Sequence, residues 1–172
     1  ERPARPPHSH PALISSAMSS FMVPEGYGLV ILANVVGPAL VLGWLGGRVG
    51  AARKRLGVAL PAMQAVPGQP SSNGGKITEE QAREFNCIQR GHHNPLETLS
   101  DFRAASLVAG FVNPYVTAAA GVVWMVARVS WALGYDGKGG RYSGSFKLGG
   151  LHWLAYAAVV GMAGYQGYQL LG

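Results

Sequence analysis

An uncharged run from residue 27 to residue 47, YGLVILANVVGPALVLGWLGG, constrains the fold of this chain more than any other feature. It has no charged side chain over about 21 residues, which is the length of helix that crosses a bilayer. Three further candidate spans follow, at about residues 83–112, 115–133 and 148–171. Pro38 is expected to kink the first span, which membrane helices tolerate. The pattern predicts an all-α fold: an integral membrane bundle of four transmembrane helices.

The composition agrees with a membrane protein. Only 13% of the 172 residues are charged, while 48% are hydrophobic, against about a quarter charged in soluble domains. The 25 glycines suit the close packing of membrane helices. The net charge of +6 comes from basic residues at the ends of apolar runs, so the expected partner is the lipid bilayer and not nucleic acid. The single cysteine, Cys87, excludes an internal disulfide.

Charge in the loops predicts the orientation. Four spans place both termini on one side of the membrane, and the loops after the first and third spans on the other. Those two loops are basic, and such loops face the cytoplasm or its organellar equivalent. Their basic residues are Arg53, Lys54, Arg55, Lys76, Arg83, Lys138, Arg141 and Lys147.

The first 24 residues form a separate compositional segment, rich in Pro, Ser and Arg and poor in acid. We expect a loose tail at residues 1–24 and a membrane domain at residues 25–172. The composition of the tail also resembles the remnant of an organelle transit peptide. That resemblance leaves a mitochondrial or plastid membrane open as a location.

Ionisable side chains gather on one face of the second span. On a helix of about 100° per residue they fall within an arc of about 100°, with Phe85, Ile88, Leu96, Leu99 and Phe102 on the opposite side. The polar set is Asn86, Arg90, His93, Asn94, Glu97 and Asp101. A charge at the bilayer centre costs roughly 2.5–3.5 kcal/mol, so this face should line a protein interior or a wet cleft. Pro95 should kink the helix beside it.

The third span carries an arginine and three aromatic residues on one helical face, spaced four, three and four residues apart: Trp124, Arg128, Trp131 and Tyr135. Aromatic residues near the end of a span usually form an interfacial belt. Arg128 on the same face requires an anionic partner. In the fourth span, His152 is interpreted as an ordinary bundle residue.

The residue types on these faces indicate a small zwitterionic peptide as ligand. Arginines bind carboxylates, Glu97 suits an ammonium group and Asn94 suits amides. A metal is not expected, because His93 and Glu97 lack a third strong ligand. An ion or proton pathway stays open as an alternative, since charges inside the membrane often mark one.

The motif FNCIQRGHHNPLE at residues 85–97 resembles FNCIQRxHxNxLE, from the second helix of type-three microsomal glutathione transferases. These belong to the membrane-associated proteins in eicosanoid and glutathione metabolism. AARKRLGV after the first span and ARVSWALGY at the end of the third also resemble that family. The resemblance covers about residues 24–171 and implies a homotrimer that binds glutathione, as co-substrate, between neighbouring subunits.

Matched residue by residue, the resemblance assigns a glutathione site and a second-substrate side. Lys54 matches a residue that helps the second substrate in the leukotriene synthase branch, and Trp131 stands on that side where the family usually has tyrosine. Arg141 is the candidate that activates the thiol. The glutathione contacts implied are Arg53, Arg90, His92, Asn94, Glu97, Arg128 and Tyr135. His92 projects away from the polar face of its own helix, which a site shared by two chains would explain.

Two functions follow from the resemblance. The first is a glutathione transferase or peroxidase acting on lipophilic electrophiles or lipid hydroperoxides, with the endoplasmic reticulum as the location the family implies. The second is a non-catalytic helper, or an accessory subunit of a larger membrane complex, on the same scaffold. The insertion at residues 67–82, the N-terminal tail, Pro95 and Trp131 depart from the family pattern.

Overall fold

The computed structural model describes residues 23–135 and 144–171, which form four long helices and, within those ranges, no strand. This confirms the predicted all-α, four-helix fold. Most of the predicted tail, together with Lys138 and Arg141, lies outside the described residues. The helices are α1 (Tyr27–Leu56), α2 (Glu79–Ala109), α3 (Pro114–Gly134) and α4 (His152–Gln169), with a 3₁₀ segment at Gly144–Leu151 before α4.

Helix α1 changes its winding where the sequence places Pro38. Residues Leu32–Val36 form a π-helical turn between two α-helical parts. Proline has no amide hydrogen to donate four residues back, and π turns occur where the regular hydrogen-bond ladder is interrupted. Arg103 of α2 donates to the carbonyl oxygen of Val35 in this turn at 3.0 Å.

Helix α2 begins with a capping box formed by Thr78 and Gln81. The Thr78 hydroxyl accepts from the Gln81 backbone at 3.1 Å, and the Gln81 side chain accepts from the Thr78 backbone at 2.8 Å. Together these bonds satisfy amides that would otherwise lack partners at a helix start. The helix begins at Glu79, four residues before the predicted span, and continues without a break through Pro95.

The other boundaries differ slightly from the predicted spans. The Asn113 side chain accepts from the Val116 backbone at 3.1 Å and so caps α3. The predicted fourth span begins as the 3₁₀ segment and becomes α-helical only at His152.

The two central helices hold the bundle together. Helices α2 and α3 pack against each other and against both remaining helices, whereas α1 and α4 do not touch within the described residues. At the centre, the rings of Phe102 and Trp124 stack with centroids 5.1 Å apart. Phe85, Leu99 and Phe102 are buried, as the apolar face of α2 predicts, but Leu96 is 43% exposed.

One close helix contact depends on a glycine in α3. A Cβ at Gly121 would lie 2.6 Å from Asn34 Oδ1 and 2.7 Å from the backbone oxygen of Ala33. The Asn34 side chain is fully buried and donates to the carbonyl of Thr117 at 3.1 Å. By contrast, Gly43 and Gly47 of α1 have open space where a side chain would stand. These two glycines therefore do not mediate a close helix contact within one chain.

Helices α1 and α3 are long and apolar enough to cross a membrane, by length and composition alone.

The loop between α1 and α2 lies at one end of the bundle. It is folded against the helices, with Val58, Ala65 and Ile77 buried beside Leu56 and Phe85. The Asn86 side chain holds it by accepting from the Ala65 amide at 2.8 Å and donating to the Ala65 carbonyl at 2.9 Å.

Candidate functional site

An ion pair two turns apart on α2 begins the site. Arg90 binds both carboxylate oxygens of Glu97, and its Nη2 lies 3.3 Å from Oε2. The two side chains are 46% and 52% exposed, so solvent or a ligand can reach them. The Asn94 amide nitrogen also donates to Glu97 Oε2, at 3.3 Å. One carboxylate thus holds two donors from successive turns of a single helix.

Arg128 connects this pair to α3. Its side chain is 1% exposed and donates to Asn94 Oδ1 at 2.6 Å and to Thr98 Oγ1 at 2.7 Å. The guanidinium also lies over the Trp124 ring, 5.2 Å from its centroid. Its Nε is buried and has no hydrogen-bond partner within the described residues. Because both acceptors are neutral, the charge of Arg128 is hydrogen-bonded without being neutralised by direct contact.

A cleft of about 300 Å³ opens beside this network. Trp131 and Tyr135 form an aromatic wall, with stacked rings whose centroids are 4.8 Å apart. Trp124 and Trp131 are buried in the bundle, so the expectation that these aromatic residues form an interfacial belt is wrong for both. The described residues that line the cleft are Arg90, Asn94, Trp131, Tyr135, Gly150, His152 and Trp153.

The sequence model of the MAPEG family matches residues 31–165, well over half of the 172-residue chain. The chain belongs to the MAPEG family. The matched region takes in all of α2 and α3 and most of α1 and α4, and therefore the whole described lining of the cleft. Membership confirms the resemblance seen in the sequence and makes the chain a membrane helical bundle of a glutathione- and eicosanoid-related family.

The MAPEG resemblance assigns residues that this chain does not bring to the cleft. Arg53 instead holds the α1–α2 loop, where its Nη1 donates to the carbonyls of Val58, Ala59 and Ala62 at 3.1, 3.3 and 2.9 Å. Lys54 is exposed. His92 faces α1, with Nε2 3.7 Å from where a Cβ of Gly46 would stand. Their roles in binding stay predictions, as does that of Arg141, which lies outside the described residues.

The remaining members of the polar face of α2 do three different things. Asn86 anchors the loop, His93 is exposed, and exposed Asp101 accepts from Ser100 at 3.3 Å. The hydrogen-bonded polar network therefore takes in only the middle part of the face, at Arg90, Asn94 and Glu97. Within residues 23–135 and 144–171, no three His, Cys, Asp or Glu side chains gather as a metal site would require.

Three contributors were not identified from the sequence. Thr98, an acceptor for Arg128, lies four residues after Asn94 and therefore on the same side of α2. His152 and Trp153 enter the cleft because the 3₁₀ segment lies against α3. Only Thr98 had a signal in the local sequence.

Proposed function

We propose that this protein is a membrane-bound glutathione transferase and peroxidase that activates the glutathione thiol toward lipophilic electrophiles or lipid hydroperoxides. The observation that carries the proposal is the buried Arg128, whose hydrogen bonds within the described part of the chain go to neutral acceptors beside a cleft. A ligand carboxylate near the cleft would supply the missing negative charge. Family membership supports the choice of glutathione.

The chemistry of the cleft suits a zwitterionic peptide. The side chains of Arg90 and Glu97 are half exposed. Arg90 can therefore bind a ligand carboxylate, and Glu97 a ligand ammonium, in place of part of their ion pair. Tyr135 offers a hydroxyl, and the Trp131 ring offers an apolar surface on the second-substrate side. The bilayer would concentrate the lipophilic substrate next to this wall.

We further propose a homotrimer in the endoplasmic reticulum membrane. In one chain Arg53, Lys54 and His92 lie away from the cleft, and a neighbouring copy could bring its own set to the same ligand. The exposed charges of α2 support the same arrangement, because a charge facing lipid costs roughly 2.5–3.5 kcal/mol.

Activation of the thiol requires a modest electrostatic gain. A free thiol has a pKa near 8.5, so little thiolate exists at neutral pH. Lowering that value by about two units needs about 2.7 kcal/mol, which a guanidinium in a dry site can supply. Arg141 is the proposed donor. The Arg141→Ala variant should lose the thiolate absorbance while still binding glutathione, and an unchanged thiolate signal would remove Arg141 from this role.

The binding test compares two carboxylates of α2. Glutathione affinity is measured by isothermal titration calorimetry on detergent-solubilised protein, followed by turnover of an activated aryl halide. Glu97→Gln should weaken binding roughly tenfold, as expected for one charge-assisted hydrogen bond. The control, Glu80→Gln, changes an exposed carboxylate in the first turn of α2 and should bind as wild type does. Equal affinity in both variants would contradict the proposal for Glu97.

One observation favours a non-catalytic helper as the second candidate. Hydrogen bonds within the chain already join Arg90, Asn94, Glu97 and Arg128, so the network does not need a ligand to persist. Glutathione binding without turnover of any electrophile would support this alternative.

A further inference from the structure

His152 lies in the wall of the cleft with a side chain that is 5% exposed. Its Nδ1 is 2.5 Å from the carbonyl oxygen of Gly149. A carbonyl can only accept, so Nδ1 carries the proton and donates it. In the neutral imidazole, Nε2 is then the nitrogen with the free lone pair.

The surroundings hold the imidazole in place. The Trp153 ring lies 4.7 Å from the imidazole, centroid to centroid. Gly149, the partner of the His152 Nδ1, approaches Trp131 so closely that a Cβ would come within 2.8 Å of the tryptophan side chain. The missing side chain at Gly149 therefore lets the 3₁₀ segment bring His152 to the aromatic wall of the cleft.

The other polar side chains in the described lining of the cleft are poorer bases than His152. The Asn94 amide is used at both ends, by Arg128 and by Glu97, and Arg90 only donates. The oxygen of the Tyr135 phenol is a poorer proton acceptor than an imidazole nitrogen. His152 Nε2 has no hydrogen-bond partner among the described residues, and imidazole titrates closest to neutral pH.

We infer that His152 accepts the thiol proton of bound glutathione, an inference that depends on the proposed function. The S–H bond breaks, an N–H bond forms at Nε2, and the electron pair stays on sulfur. When the thiolate adds to an unsaturated carbonyl compound, that pair forms the C–S bond and the π electrons move to the enolate. The enolate then takes the proton back from Nε2, so that His152 becomes neutral again and the adduct holds all the atoms of both reactants.

Nearby charges make this proton transfer conditional on the ligand. Among the described residues, the charged and titratable groups around the cleft are Arg90 and its partner Glu97 from α2, Tyr135 from α3 and, behind Asn94, Arg128 from α3. The Arg128 guanidinium disfavours an imidazolium, whereas the charge of Arg90 is already paired with Glu97; a guanidinium favours a thiolate. The protonated His152 is therefore stable only while the anionic sulfur lies beside it, which couples proton uptake to glutathione binding.

The test follows thiolate absorbance by ultraviolet difference spectroscopy from pH 5 to 8, with glutathione affinity measured by calorimetry on the same samples. His152→Asn can still donate to the Gly149 carbonyl but cannot take up a proton. We expect affinity within about threefold of wild type, a thiolate midpoint shifted toward the free value near 8.5, and at least tenfold slower conjugation at pH 7. The matched control, His93→Asn, removes an exposed imidazole outside the described cleft lining and should keep the wild-type midpoint.

Three results would overturn the inference. If His152→Asn keeps the wild-type thiolate midpoint, the inference fails and the proposed function stands. The same holds if His93→Asn shifts the midpoint as much as His152→Asn does. Wild-type protein that binds no glutathione would overturn both the inference and the proposed function. If His152→Asn does not fold, the same measurements on His152→Gln decide the matter, because its amide also cannot accept the proton.

Discussion

Replacing Thr98 by valine should separate the hydrogen-bonding role of this residue from its packing role. Thr98 Oγ1 accepts from Arg128 Nη2 at 2.7 Å, and Arg128 is 1% exposed, so water cannot replace the lost acceptor. A hydrogen bond to a charged group contributes about 1.5–3 kcal/mol. Since valine keeps the shape of threonine, we expect a loss of about 2 kcal/mol, taken from that range.

The assay is thermal unfolding of the detergent-solubilised protein. Domains of 150–250 residues shift by about 2–4 °C per kcal/mol, which predicts a fall of roughly 4–8 °C in Tm for Thr98→Val. The control is Thr98→Ser, which keeps the hydroxyl and loses one methyl group, a change of about 0.8 kcal/mol. Packing alone would make the serine variant the less stable of the two. If Thr98→Val melts at or above Thr98→Ser, the acceptor role of Thr98 is refuted.

Two further predictions concern packing and the loop. Gly121→Ala should destabilise the protein by about 1–3 kcal/mol, because its Cβ would meet Asn34 and the Ala33 backbone. Gly164→Ala, which has open space in α4, should instead raise the melting temperature through better helix propensity, and equal melting of the two variants would contradict the packing argument. Asn86→Ala should speed limited proteolysis between residues 57 and 78, since both bonds to Ala65 are lost. Ser100→Ala, at an exposed position of α2, is the control, and equal cleavage rates would show that Asn86 does not hold the loop.

The parts of the fold that depend on neighbouring residues in sequence could be predicted. The capping box at Thr78 and Gln81 requires only a spacing of three residues, and Phe85 and Phe102 are buried because helical periodicity puts them on one face. The meeting of Arg90, Asn94 and Glu97 follows from the same periodicity.

The environment of each arginine could not be predicted in this way. From the sequence, Arg53 and Arg128 were both predicted to bind an anion. Arg53 instead donates hydrogen bonds to three carbonyls of the loop that folds back onto it. Arg128 is buried by contacts between α2 and α3. Those contacts depend on how helices pack across long sequence separations, which periodicity does not report.

His152 illustrates the same limit from the opposite direction. Its sequence neighbours are apolar, so an ordinary bundle residue was the reasonable interpretation, and the bond to Gly149 agrees with it. Its place in the cleft follows from the 3₁₀ segment and from the glycine that approaches Trp131. Neither feature has a sequence pattern from which it could be predicted.

The bond between Arg128 and α2 also has a consequence for biogenesis. Helix α3 emerges from the ribosome carrying a cation whose two acceptors, Asn94 and Thr98, belong to the helix synthesised just before it. Only four residues separate Ala109 from Pro114, so the two helices can enter the bilayer as a hairpin. We expect the translocon to release α3 efficiently only after α2 is beside it. Because α2 is synthesised first, the acceptors for the Arg128 charge are already present when α3 enters the membrane.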